Sequence, residues 1–237
     1  MRLLITRPKN AAVAITAALS ARGHIPLIAP VMEIKTRDGK PLILEGVQAI
    51  LATSANGVRA LSQRSNNHNL PLYAVGPQTE EAARKSGFHF VHSANGDAEA
   101  LAEKVISELD PANGAVFHAS GAETSGYLGE ALRAQNFLVK KEILYDALPV
   151  TKLSDAAENA LGENILDGVL LFSPRTAKIF SKLILTAFLK EKCARLQAFC
   201  ISAATADEVI SLEFTNVAVA SNPDHQGMLA LFPKENG

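Results

Sequence analysis

Three short segments of this chain recur, in the same order, about 120 residues further on. Ala49-Ile-Leu-Ala-Thr-Ser54-Ala-Asn56 is echoed by Gly168-Val-Leu-Leu-Phe-Ser173-Pro-Arg175. Tyr73-Ala-Val-Gly-Pro-Gln-Thr79 is echoed by Phe199-Cys-Ile-Ser-Ala-Ala-Thr205, and His92-Ser-Ala-Asn95-Gly-Asp97 by Val219-Ala-Ser-Asn222-Pro-Asp224. Each echo is an apolar run followed by a turn whose Ser, Thr or Asp suits the first position of a helix. An internal repeat of this kind limits the fold more than any single element, because both halves must adopt one architecture.

Between and around the echoes, short aliphatic runs alternate with helical patterns. Strands are predicted at Arg2 to Thr6, Gln48 to Thr53, Leu72 to Val75, Phe88 to His92, Ala115 to His118, Val169 to Phe172, Ala198 to Ile201 and Val217 to Ala220. Helices are predicted from Pro8 to Arg22, from Ser54 to Gln63, from Gly76 to Ser86, from Asp97 to Leu109, from Glu123 to Gln135, and after Ser154, Ser173, Thr205 and Asp224. Strands joined by helices of this length form parallel sheets, since a parallel crossover needs a dozen residues or more. The expected fold class is therefore α/β.

Two stretches, His24 to Arg37 and Phe137 to Val150, are extended but longer than the five or six residues of an ordinary strand. We read them as two strands that carry the chain between two lobes, with Tyr145 at a cleft. The lobes are then 1–37 with 149–237, and an inserted 38–148. A simpler cut near residue 112 divides the repeat itself.

Composition narrows the function. With 48% hydrophobic and 20% charged residues the chain is that of a soluble globular protein, long enough for two cores. A net charge of −1 without a Lys/Arg cluster offers no nucleic-acid footprint. No apolar run reaches the roughly 18 to 20 residues of a membrane-spanning helix. Arg2, Arg7 and Lys9 ahead of the apolar Ala11–Ala21 run have the outline of a secretion signal, but Leu3-Leu4-Ile5 reads as a strand and Pro8 as the start of a helix. Two cysteines, Cys193 and Cys200, form no disulfide framework and no metal-ligand spacing, in keeping with a reduced, cytoplasmic setting.

Glycine-rich nucleotide motifs, the serine-hydrolase elbow and the His-Glu-x-x-His pattern are all missing, and the six histidines are scattered. What remains is a set of hydroxyl-bearing turns at Thr53-Ser54, Gly76 to Thr79, Ser173 and Ser202 to Thr205. In open α/β sheets the C-terminal strand edge is where ligands bind, and each helix start there offers free N–H groups with a partial positive charge. Four such ends suit a ligand with several negative groups. Ser and Thr also cap helices with no ligand at all. Arg7 and Arg175, each following a strand near a helix start, are placed to pair bidentately with carboxylates or phosphates, or to stand as solvated surface groups. Tyr145, one of three tyrosines, carries a phenol whose ordinary pKa near 10 keeps it a proton donor at neutral pH.

With these residues in hand, the chain resembles the uroporphyrinogen-III synthase family over essentially its whole length. The resemblance is carried by Ile5-Thr-Arg-Pro8, Ala52-Thr-Ser-Ala-Asn56, Ala74-Val-Gly-Pro-Gln-Thr79, Leu144-Tyr145, Leu171-Phe-Ser-Pro174 and Cys200-Ile-Ser-Ala-Ala-Thr205. It implies two flavodoxin-like lobes joined by two strands. It also implies one reaction, closure of the linear tetrapyrrole hydroxymethylbilane to uroporphyrinogen III with loss of water and inversion of the last ring, without metal or organic cofactor.

Tyr145 matches the family tyrosine held to assist departure of the hydroxyl, and Thr53, Ser54, Thr79, Ser173 and Thr205 match turns lining the cleft. The family's second-half Gly-Pro-x-Thr loop is here Ser202-Ala-Ala-Thr205. A monomer is implied, in transient contact with the enzyme that supplies its substrate. The competing reading is a two-lobed binding or sensor protein that closes on a small molecule without chemistry.

Overall fold

A computed structural model describes residues 1–232. Its elements run β1 (Arg2–Ile5), α1 (Lys9–Ser20), β2 (Ile25–Ile28), β3 (Met32–Thr36), β4 (Val47–Ala52), α2 (Ala55–Ser62), β5 (Leu72–Ala74), α3 (Pro77–Lys85), β6 (Val91–Ser93), α4 (Ala98–Glu108) and β7 (Ala115–Gly121). They continue with α5 (Tyr127–Ala134), β8 (Val139–Pro149), α6 (Asp155–Gly162), β9 (Gly168–Leu171), α7 (Pro174–Thr186), α8 (Lys190–Cys193), β10 (Gln197–Cys200), α9 (Ala203–Asp207), β11 (Asn216–Val219) and α10 (His225–Ala230).

The chain divides into two compact units, one formed by Met1–Glu33 with the chain from Leu148 onward, the other by Ile34–Ala147. The crossings fall inside β3 and β8. Arg37 belongs to the second unit, because its N–H bonds the Leu144 carbonyl and its guanidinium grips the Asp146 carboxylate at 2.7 and 2.8 Å.

The first unit carries a five-stranded sheet of order β11-β10-β9-β1-β2, every neighbouring pair parallel. In chain order within the unit this is 2-1-3-4-5, the flavodoxin-like order. Leu3, Leu4 and Ile5 are all buried, as expected of a strand covered on both faces. Pro26 is accommodated because β2 lies at the sheet edge, where a missing N–H leaves no ladder bond unmade.

The second unit's sheet has order β3-β8-β7-β4-β5-β6, with β4 to β8 and β6 joined by parallel pairings. Ala49 to Ala52 are wholly buried at its centre. One apolar cluster, including Ile50, Val58, Leu61 and Phe117, covers one face, and another, including Leu51, Leu101, Val105 and Leu132, covers the other.

The sequence echoes pair β4 with β9, β5 with β10 and β6 with β11. In the second sheet β7 and β8 then take the places that β1 and β2 take in the first. Each half of the sequence thus gives its leading β-α-β to one unit and its three echoed strands to the other, a reciprocal exchange. The repeat unit in sequence is not the folding unit in space.

Several sequence-based expectations shift. The strand expected at Phe88 to His92 is Val91–Ser93, since Phe88 is used to close α3: its N–H bonds the Ala83 carbonyl after Gly87 takes a positive φ of 92°. The helix expected from Glu123 begins at Tyr127, leaving Glu123 to Gly126 irregular. The long extended stretch after His24 is two strands, β2 and β3, while the one after Phe137 is a single strand of 11 residues.

Candidate active site

At the C-terminal edge of the Ile34–Ala147 unit, β4 runs straight into Thr53 and Ser54, and Ser54 caps α2 by accepting the Gly57 N–H at 3.1 Å. Gly57 has no room for a side chain, because a Cβ there would lie 2.6 Å from the Ala119 carbonyl oxygen. The helix start is therefore pressed against β7, which fixes the Ser54 hydroxyl.

Tyr145 reaches this hydroxyl from β8. The pairing of β7 with β8 shifts register between Ser120 and Gly121, so that Gly121 faces Tyr145 rather than Leu144. The bulge re-aims the side chain, and the Ala122 N–H holds the Tyr145 carbonyl at 3.0 Å. Gly121 supplies space for the ring, since a Cβ at that position would stand 2.6 Å from the phenol's Cζ. The Tyr145 and Ser54 hydroxyls lie 2.8 Å apart, and either oxygen can be the donor. Because Ser54 already accepts the Gly57 N–H, its own proton is available for the phenol oxygen.

Beside this pair is a cavity of about 250 Å³ lined by Thr53, Ala98, His118, Glu123, Thr124, Ser125, Leu128 and Tyr145. His118 is 2% exposed. Its Nε2 is 3.5 Å from the Thr53 hydroxyl, the outer limit of a hydrogen bond, and its Nδ1 is buried without a partner. Burial, reinforced by the charge on Lys141, pushes its pKa down to about 4, so the ring is neutral at physiological pH. Lys141 donates to Thr124 Oγ1 at 3.1 Å, and the Thr124 and Ser120 hydroxyls are 3.2 Å apart. His118, Thr124 and Ser125 were not anticipated from sequence. The available signal was one titratable residue inside the apolar run Ala115-Val116-Phe117-His118-Ala119.

Thr79 belongs to the same unit but does not line the cavity. It is 4% exposed in the first turn of α3, whose cap is Gly76.

The other unit presents a comparable edge. The Arg7 guanidinium stacks 4.8 Å above the Phe172 ring, and burial draws its pKa below the ordinary arginine value. Ser173 caps α7 by accepting the Thr176 N–H at 3.1 Å, with Arg175 half-buried in the first turn. Ser202 caps α9 in the same way through Thr205, whose hydroxyl lies 3.0 Å from that of Ser202. Thr205 is wholly buried, so what this turn can offer a ligand is backbone rather than the threonine hydroxyl. The same holds for the turn at Thr79.

Of the eight side chains picked out from sequence, Thr53, Ser54 and Tyr145 are brought together. Arg7, Ser173, Arg175 and Thr205 belong to the first unit. Cys193 and Cys200 are buried, and burial raises their thiols to about 12 and about 11, which makes them inert packing residues. Among the described residues no three His, Cys, Asp or Glu side chains are grouped to hold a metal ion.

The chain as a whole is similar to known proteins. The family model described as Uroporphyrinogen-III synthase HemD matches residues 13–230. The solved uroporphyrinogen-III synthetase of Helicobacter pylori is 18% identical, with 98% of each chain covered and a TM-score of 0.65, which shows a shared fold. A mutant uroporphyrinogen III synthase of the extremely thermophilic bacterium Thermus thermophilus is 19% identical over 98% of this chain and 97% of its own, with a TM-score of 0.49. No curated protein sequence matches. With the family model spanning nearly the whole chain, the protein belongs to the uroporphyrinogen-III synthase family, cyclising lyases of tetrapyrrole biosynthesis.

Proposed function

We propose that the protein closes hydroxymethylbilane to uroporphyrinogen III, losing water and inverting the last pyrrole ring. The observation that carries this reading is the Tyr145–Ser54 hydroxyl pair at 2.8 Å beside a cavity, in a chain of this family. Tyr145 gives its proton to the departing hydroxyl. Ser54 donates to the phenolate that results, and the positive end of α2 stabilises the same charge. The pyrrole nitrogen supports the cation left on the substrate, so this chemistry needs neither a metal nor an organic cofactor. The protein's main task is to hold a flexible chain in one folded shape, because positioning decides which isomer forms.

The substrate's carboxylates suit the helix starts at Ser54, Gly76, Ser173 and Ser202, with Thr53, Arg7 and Arg175 as side-chain partners and the Thr79 and Thr205 turns acting through backbone N–H groups. No helix among the described residues is long and apolar enough to cross a membrane. We further propose that the enzyme works in the cytoplasm as a monomer. It would receive its reactive substrate by transient contact with the enzyme that makes it.

The test is to supply enzymatically generated hydroxymethylbilane, oxidise the product and resolve the uroporphyrin isomers. Isomer III is expected, and isomer I alone would overturn the proposal.

A further inference from the structure

His118 is under-satisfied. A neutral imidazole carries one donor and one acceptor nitrogen. Here one nitrogen has no partner and the other has only Thr53 at 3.5 Å. Buried polar groups in native proteins are nearly always paired, so a side chain left this way beside a cavity is a place to look for a ligand. His118 and Thr53 both line the cavity, so the ring with its partnerless nitrogen stands at the wall of that space.

The cavity holds about 250 Å³, near the lower end of small-molecule sites. At ~30 Å³ per water this is roughly eight water volumes. That is room for one five-membered ring with short side chains, and not for four rings. Tyr145 lines the same cavity, so the ring admitted is the one whose hydroxyl the phenol protonates.

We infer that His118 is a further catalytic residue, accepting the N–H of the pyrrole that carries the hydroxymethyl group. The inference rests on the function proposed above. Tyr145 transfers its proton to the hydroxyl, the C–O bond breaks with its electron pair leaving in water, and the pyrrole nitrogen's lone pair forms a double bond toward the ring. The nitrogen keeps its hydrogen and becomes positively charged. Its N–H is then a far stronger donor than before, so a neutral acceptor binds the transition state more tightly than the ground state. The far ring then joins the new carbon through the ring carbon that held its own bridge, that bridge bond breaks and re-forms at the ring's free carbon, and the proton expelled there restores the phenol.

Burial, which holds the imidazole neutral, is what such a role needs, because a protonated ring would repel the developing cation. The other ionisable groups about the cavity are Glu123, Tyr145 and, through Thr124, Lys141.

His118→Phe keeps the ring's bulk and removes the acceptor, while His118→Gln restores a carbonyl acceptor. With the full chain, hydroxymethylbilane as substrate and wild type yielding isomer III, His118→Phe should lower kcat roughly 10- to 100-fold with a much smaller change in KM. His118→Gln should recover part of the loss. In parallel, the imidazole ¹⁵N signals of wild-type protein should shift on titration with an unreactive monopyrrole bearing one acetate and one propionate.

An unchanged kcat in folded His118→Phe overturns the inference while leaving the proposed function standing. If that variant does not fold, unmoved His118 signals in the wild-type titration overturn it instead. Wild type yielding isomer I alone removes the function, and the inference with it.

Discussion

Acidification should weaken the Ile34–Ala147 unit through one side chain. In the folded protein His118 titrates at about 4 against an ordinary 6.5, a difference of 6.5 − 4 = 2.5. Between these values the unfolded chain binds the proton and the folded chain does not, so stability falls as pH falls. The contribution is fully present above 6.5 and is lost progressively on the way down to 4. At ~1.36 kcal/mol per pKa unit, His118 accounts for about 3 kcal/mol across that window, and about 2 kcal/mol between pH 6.5 and 5.

His225 is also held below its ordinary value, chiefly by burial, but it belongs to the other unit. Glu81, Glu108 and Asp146 are held low by Lys85, Lys104 and Arg37 respectively, so their stabilisation is lost only below the ordinary carboxylate range. The chain has no tryptophan, so urea unfolding is best followed by circular dichroism at pH 7, 6 and 5. Hydrogen exchange at the Ile50 and Phe117 amides reports this unit by itself. His118→Phe should flatten the pH dependence by about 2 kcal/mol relative to wild type. Parallel curves for the two proteins would refute the reasoning, since they would mean that His118 titrates alike folded and unfolded.

Tyr145→Phe should slow turnover far more than it weakens product binding, and equal effects would reduce Tyr145 to a packing residue. Gly121→Ala places a Cβ 2.6 Å from the Tyr145 ring. It should therefore lower kcat in a protein that still folds, and full activity would show that the phenol needs no such seat. Ser202→Ala should destabilise the first unit by about 1 kcal/mol through loss of the α9 cap. A tenfold rise in KM at unchanged stability would instead make Ser202 a substrate contact.

The sequence made the strand ends legible, because each echo joins an apolar run to a capping Ser or Asp, and caps such as Ser54, Ser173 and Asp224 are local chemistry. Partner choice is not local. Nothing in Arg2–Ile5 records that it lies beside β9 rather than β4, since both neighbours are apolar strands of the same kind and only the crossings at β3 and β8 decide it. Helix starts without a capping side chain were also hidden. Gly126 caps α5 with no hydroxyl, so the polar run from Glu123 read as helix when it is loop and lines the cavity.

Tyr145 was legible as a rare residue in a long strand, but the bulge that aims it depends on Gly121 in another strand. His118 was invisible for a related reason. A histidine in a buried strand is notable only once one of its nitrogens is seen to lack a partner, and that is a property of the packed fold.

Ring inversion itself can be measured most directly with hydroxymethylbilane doubly labelled with ¹³C, at the bridge leading to the last ring and at the ring carbon bonded to that bridge. Inversion detaches those two carbons from each other. The account predicts that their one-bond coupling disappears from the product formed in the presence of the protein, and a coupling retained in all of that product would contradict it.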